Sequence, residues 1–193
     1  MKSIFIGCMA LAVMLGSITC FKIAGNTGVP NETVISNTSE NAELDIKTAE
    51  ELLSALDITD KIGACAVSFD EKCGYTAESG EIYYKVTDMR FKTAEDLRFF
   101  INKYLTAEFV EKRYANLLDS TEPLCIDING ELYIKYAPKG GGFAFTDTMP
   151  EIKKISESEY MITAEHDNYG AKENMCVYVI QDGENFKINN IEF

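Results

Sequence analysis

The sequence predicts an α+β fold in which N-terminal helices pack on a curved antiparallel β-sheet meander. Two capping boxes each open an apolar stripe at helical spacing. An Asn-Gly pair joins two alternating segments, and four further strand-like runs come after it with short turns between them. Helices followed by strands, rather than helices alternating with strands, separates this class from the parallel α/β folds. The apolar fraction of 46% is enough for one proper core in 193 residues.

Residues 1–20 read as an export signal: Lys2 is the only charge, and an apolar run over 4–18 is short for a membrane span. Ser17-Ile18-Thr19-Cys20 resembles the cleavage box of bacterial lipoproteins, although that box prefers Leu at its start and Gly or Ala before the cysteine. Lipidation at Cys20, free secretion and an uncleaved anchor all place the folded part outside the cytoplasm. Residues 21–45 are poor in large apolar side chains, which predicts a tether. The two Asn-x-Ser/Thr triplets at Asn31 and Asn37 read as tether composition behind a bacterial-type signal.

The folded domain is expected over 46–193, with 46–85 a candidate N-terminal extension. Thr48-Ala49-Glu50-Glu51 predicts a short helix ending near Asp57. A short strand is expected over 65–69, a loop over 70–80 and a strand over 81–86. Thr93-Ala94-Glu95-Asp96 caps a second helix, whose stripe is Leu97, Phe100, Ile101, Tyr104 and Leu105. Thr106-Ala107-Glu108 restarts the pattern at once, and Pro123 closes the helical region. Strands over 124–128 and 131–135 flank Asn129-Gly130, a pair that tolerates the positive φ angles of a tight hairpin. Pro138-Lys139-Gly140-Gly141-Gly142 is the one glycine-rich run, and strands are expected over 152–156, 160–165, 175–181 and 186–193.

A formal charge of −13 repels phosphate backbones and anionic lipids, which argues against nucleic acid as a partner and leaves the membrane reachable only through the signal or a lipid. A basic partner is steered toward such a surface, and the same charge also keeps an exported protein soluble. Beyond the signal lie Cys65, Cys73, Cys125 and Cys176. Cys65 and Cys73 can close a small disulfide loop, whereas Cys125 and Cys176 sit in apolar strands that suit reduced thiols. Their spacings match no zinc pattern, so no metal or other cofactor is expected. His166 is the single histidine, and it reads as an exposed residue in a polar connection between two strands. With 31 acidic residues no carboxylate pair is singled out, and no enzyme activity is expected. The glycine run lacks the Gly-Lys-Ser/Thr helix start of a phosphate loop. It reads as a plain connection or as a recognition loop.

Residues 85–193 resemble the IseA family of DL-endopeptidase inhibitors. The resemblance is carried by Thr106-Ala107-Glu108-Phe109-Val110-Glu111 and by the Asn129-Gly130-Glu131-Leu132-Tyr133 hairpin. It extends to residues 152–160 and to Phe186-Lys187-Ile188, where the family often has Trp for Phe. The resemblance implies an IseA-like fold and an extracytoplasmic, monomeric inhibitor of NlpC-type cysteine autolysins, which cut the D-γ-glutamyl to diaminopimelate bond of the cell wall. It also implies an inhibitory loop with a Gly-aromatic-Ala-acidic core. Gly142, Phe143 and Ala144 fit that core with Gly141 before them in the loop, Phe145 stands where an acid is expected, and Asp147 comes two positions on. The alternative is an envelope-anchored binding lipoprotein for a small ligand or another envelope protein, with Phe99, Phe100, Tyr104, Phe109 and Tyr114 supplying either a binding surface or simply core.

Overall fold

The computed structural model describes residues 43–137 and 144–193. Glu40–Phe193 forms one compact unit. Its described residues hold three helices and nine strands in two antiparallel sheets.

Helix α1 (Ile46–Gly63) starts earlier and ends later than its sequence suggests. The cap is Asp45, whose Oδ1 accepts from the Thr48 N–H at 2.7 Å. The apolar stripe continues past Asp57 through Ile62, and the Thr59 hydroxyl is absorbed by the Ala55 carbonyl at 2.8 Å. The helix stops where Cys65 turns left-handed, at φ +54°. There the Ala66 N–H bonds Lys61 O at 2.7 Å and the Cys65 N–H bonds Ile62 O at 2.9 Å, a Schellman closure with cysteine in the usual glycine place. The first two residues of the expected strand over 65–69 are therefore a helix terminus, and of that span only Phe69 belongs to a strand.

The first sheet has the order β1-β2-β4-β3, from β1 (Phe69–Thr76), β2 (Ile82–Val86), β4 (Glu131–Lys135) and β3 (Cys125–Ile128). Strand β1 occupies most of the expected 70–80 loop. Its residues from Glu71 onward are exposed and its ladder is bulged between Asp70 and Gly74, so backbone pairing along an edge holds it, not an apolar face. The β3–β4 turn is the Asn129-Gly130 hairpin, with φ of 53° and 79°.

Between β2 and β3 lie α2 (Ala94–Tyr104) and α3 (Ala107–Tyr114). Thr93 and Asp96 form the full capping box of α2, and the Thr106 hydroxyl caps α3 through the Phe109 N–H at 3.2 Å. The junction residue Leu105 bridges to Ile188, and the Thr106 N–H donates to Ile188 O at 2.9 Å. Of the five helix aromatics, Phe109 and Tyr114 are buried, Phe100 and Tyr104 pack half-buried against the core, and Phe99 is 74% exposed.

The second sheet curls into a half-barrel. Its meander is β7 (Glu159–Asn168), β8 (Ala171–Asp182) and β9 (Asn185–Glu192). The short β5 (Ala144–Phe145) and β6 (Glu151–Lys154) pair in tandem along the far side of β7. One face of the meander, built on Tyr160, Ile162, Ala164, Met175, Val177 and Ile188, meets α1, α2 and α3 to make the core.

Candidate functional site

The recognition segment named by the sequence lies between the two sheets in the chain. Gly141, Gly142 and Phe143 fall outside the described residues, whereas Ala144, Phe145 and Asp147 fall inside. Ala144 and Phe145 form β5, paired with Asp167 and His166 at the far end of β7. Ala144 is exposed, Phe145 is half-buried against the core, and Asp147 is exposed.

Immediately after β5 the chain is pinned down by one carboxylate. The Thr146 N–H donates to Glu165 O at 3.0 Å, and the Thr146 and Thr148 hydroxyls donate to Glu165 Oε1 at 2.9 and 3.1 Å. Lys172 Nζ, from β8, reaches the same oxygen at 2.9 Å. Lys172 and then the two hydroxyls hold the Glu165 carboxyl below its ordinary value of 4.5. The chain bends at 147–148, where the Thr148 N–H donates to Thr146 Oγ1 at 3.3 Å, and this bend brings both hydroxyls to the same carboxylate.

Facing this segment across a groove of about 440 Å³ is α1, which contributes Glu50, Leu53, Ser54, Asp57 and Lys61. Lys61 Nζ binds Asp57 Oδ2 at 2.6 Å, and Asp57 Oδ1 is buried with no hydrogen-bond partner among the described residues. Glu50, Asp57 and Asp147 against Lys61 leave the groove net negative. The α1 wall is not legible in the sequence, where the helix reads as stopping near Asp57, before Lys61.

His166 is not in an exposed connection. It is 1% exposed, on β7, and its ring lies 5.7 Å from that of Phe193. Strand β7 runs to Asn168, and its inward positions alternate from Tyr160 to His166. Cys176 pairs with Thr163, whose position in the alternation puts it on the face opposite His166.

The four thiols Cys65, Cys73, Cys125 and Cys176 are free. The Cys65–Cys73 loop is not formed, because Cys65 is buried at the α1 terminus while Cys73 is exposed on β1 with its Sγ donating to Asp70 Oδ2 at 3.3 Å. Burial pushes the Cys65 thiol up and the Cys125 thiol to about 12, the latter also through nearby Cys65. The bond to Asp70 pushes Cys73 up. None of these three is poised as a thiolate. Among the described residues no cluster of His, Cys, Asp or Glu is arranged to hold a metal ion.

A second cavity, about 430 Å³, opens between α2, α3 and the turn after them. Ile101, Val110, Leu117 and Leu118 line it along with the Arg98–Asp119 ion pair, and no strand contributes. No described helix is long and apolar enough to cross a membrane. No protein-family model matches the chain, and no curated protein matches it either.

Proposed function

We propose that this chain is an extracytoplasmic inhibitor of peptidoglycan DL-endopeptidases of the NlpC type, IseA-like in fold, which blocks the substrate cleft with residues 141–147. The export signal delivers it, either tethered to the membrane by a lipid on Cys20 or secreted to the cell wall. It acts as a monomer, by occlusion, with no cofactor and no covalent step.

The observation that carries this reading is the clamp on Glu165. An inhibitory segment binds best when little order must be imposed on contact, because each side chain or loop frozen at the interface subtracts from affinity. Thr146, Thr148 and Lys172 fix the C-terminal base of the segment before any partner arrives. The acidic groove beside it and the charge of −13 supply steering toward a basic hydrolase. Phe143 is the aromatic anchor for the cleft, and truncating such an anchor costs on the order of 2 kcal/mol or more.

Purified protein is expected to slow peptide release from cell walls by a DL-endopeptidase, and Phe143→Ala to weaken that by roughly thirtyfold. Absence of any slowing at micromolar protein overturns the reading.

The alternative, a binding lipoprotein for a small ligand or another envelope protein, is favoured by the cavity between α2 and α3, whose volume suits a small ligand. That cavity is lined by α2, α3 and the turn after them with no strand, whereas the groove beside α1 is lined by a helix and by β5.

A further inference from the structure

The hairpin joining β7 and β8 reaches past the core. Its last inward buried position on β7 is His166, opposite Glu173, and beyond that row both strands are exposed on every residue from Asp167 to Asn174. The two pairs Asp167–Lys172 and Asn168–Ala171 carry the ribbon about 7 Å further at the usual rise per residue. Asp167 Oδ1 accepts the Gly170 N–H at 2.6 Å and Asn168 Nδ2 donates to Glu173 at 3.3 Å, so the ribbon is held in shape to its tip.

The tip residues are Tyr169 and Gly170, at φ of 53° and 89°. This is the same left-handed pair as in the β3–β4 hairpin, where Asn129 and Gly130 take 53° and 79°. Asparagine is a preferred residue there, while a bulky aromatic is sterically disfavoured at positive φ. Within one chain, then, the same turn is built once with the residue the backbone favours and once with a tyrosine. The ring gains nothing from packing, being 83% exposed. A residue that suits neither its backbone nor the core is kept for what it meets outside.

Ala144, the first described residue after the glycine run, pairs with Asp167, two residues before Tyr169. The tip and Ala144 therefore share one end of the second sheet, where the ribbon from Asp167 to Asn174 carries Asp167, Glu173 and one cation, Lys172. We propose that Tyr169 is a second anchor for the hydrolase, seated on the rim of its substrate cleft against basic side chains. Its phenol lies over lysine or arginine of that rim. This rests on the inhibitor reading above and adds a second arm to it. A rigid tyrosine on a held hairpin offers a large contact area with little side-chain freedom to lose.

Tyr169→Asn separates binding from folding, because the two move in opposite directions. The variant is expected to melt about 2–4 °C higher, as the turn loses its strained residue. It is also expected to inhibit a DL-endopeptidase about tenfold more weakly than wild type, while Tyr169→Phe inhibits within about twofold of it. Wild type that inhibits alongside an equally potent Tyr169→Asn overturns the second arm alone and leaves the loop reading standing. A melting temperature that is unchanged or lower overturns the strain argument and with it the proposal. Wild type that does not inhibit at all overturns both.

Discussion

Side-chain chemistry at four thiols and one carboxylate sets what this molecule can do at the residue scale. Cys65 and Cys125 are buried and their thiols are pushed up, Cys125 to about 12, so neither forms thiolate near neutral pH. Brief treatment with iodoacetamide at pH 8 is expected to label exposed Cys73 while sparing Cys65 and Cys125, and all three should react once the chain is unfolded. Mass spectrometry of the tryptic peptides reads this directly, and rapid labelling of Cys125 in the native protein contradicts it. Glu165 has the opposite shift. A carboxyl held low in the fold contributes its stabilisation fully above its ordinary value of 4.5 and loses it as pH falls through the depressed folded value. Residues 144–148 are thus expected to gain hydrogen-exchange mobility below about pH 4, and Glu165→Ala should produce the same loosening at pH 7. Exchange at Thr148 that is insensitive to both changes refutes the clamp.

At the scale of elements, capping and pairing explain which parts of the fold are legible in the sequence. Thr93 with Asp96, and Asn129 with Gly130, each carry a complete local instruction, and the structure places a capping box and a tight hairpin there. The end of α1 is illegible because its left-handed closing residue is Cys65 rather than glycine. Strand β1 is hidden because an exposed edge needs no apolar alternation. His166 is misplaced by its sequence because the polar run Glu165-His166-Asp167-Asn168 masks the end of a strand, where the one inward side chain is an imidazole. Of the candidate site, Ala144, Phe145 and Asp147 are legible as a segment, but their wall on α1 and their clamp on β7 depend on contacts between distant positions. The α2–α3 junction gives a prediction at this scale. Thr106 caps α3, and its N–H also bonds Ile188 on β9. Thr106→Ala keeps the backbone bond but loses the cap and the hydroxyl's donation to Asn189 Oδ1 at 3.1 Å, which should lower stability by about 1 kcal/mol in a urea titration with an unchanged slope. A change below about 0.3 kcal/mol means that the cap is not needed.

Taken whole, the molecule has its helices and the inner face of a half-barrel committed to one core, while one end of the second sheet is left outside it. That end carries the base of the glycine run, the acidic groove and the Tyr169 hairpin tip. A charge of −13 extends the reach of this end toward basic partners, and salt screens that reach within about 8 Å at physiological strength. The proposed occlusion of a hydrolase cleft is tested by the rate of peptide release from purified cell walls by an NlpC-type endopeptidase, titrated with this protein at low and high salt. Slowing is expected at micromolar protein or below, weaker at high salt, and roughly thirtyfold weaker for Phe143→Ala. Release that proceeds at the uninhibited rate, or inhibition that Phe143→Ala leaves intact, contradicts it.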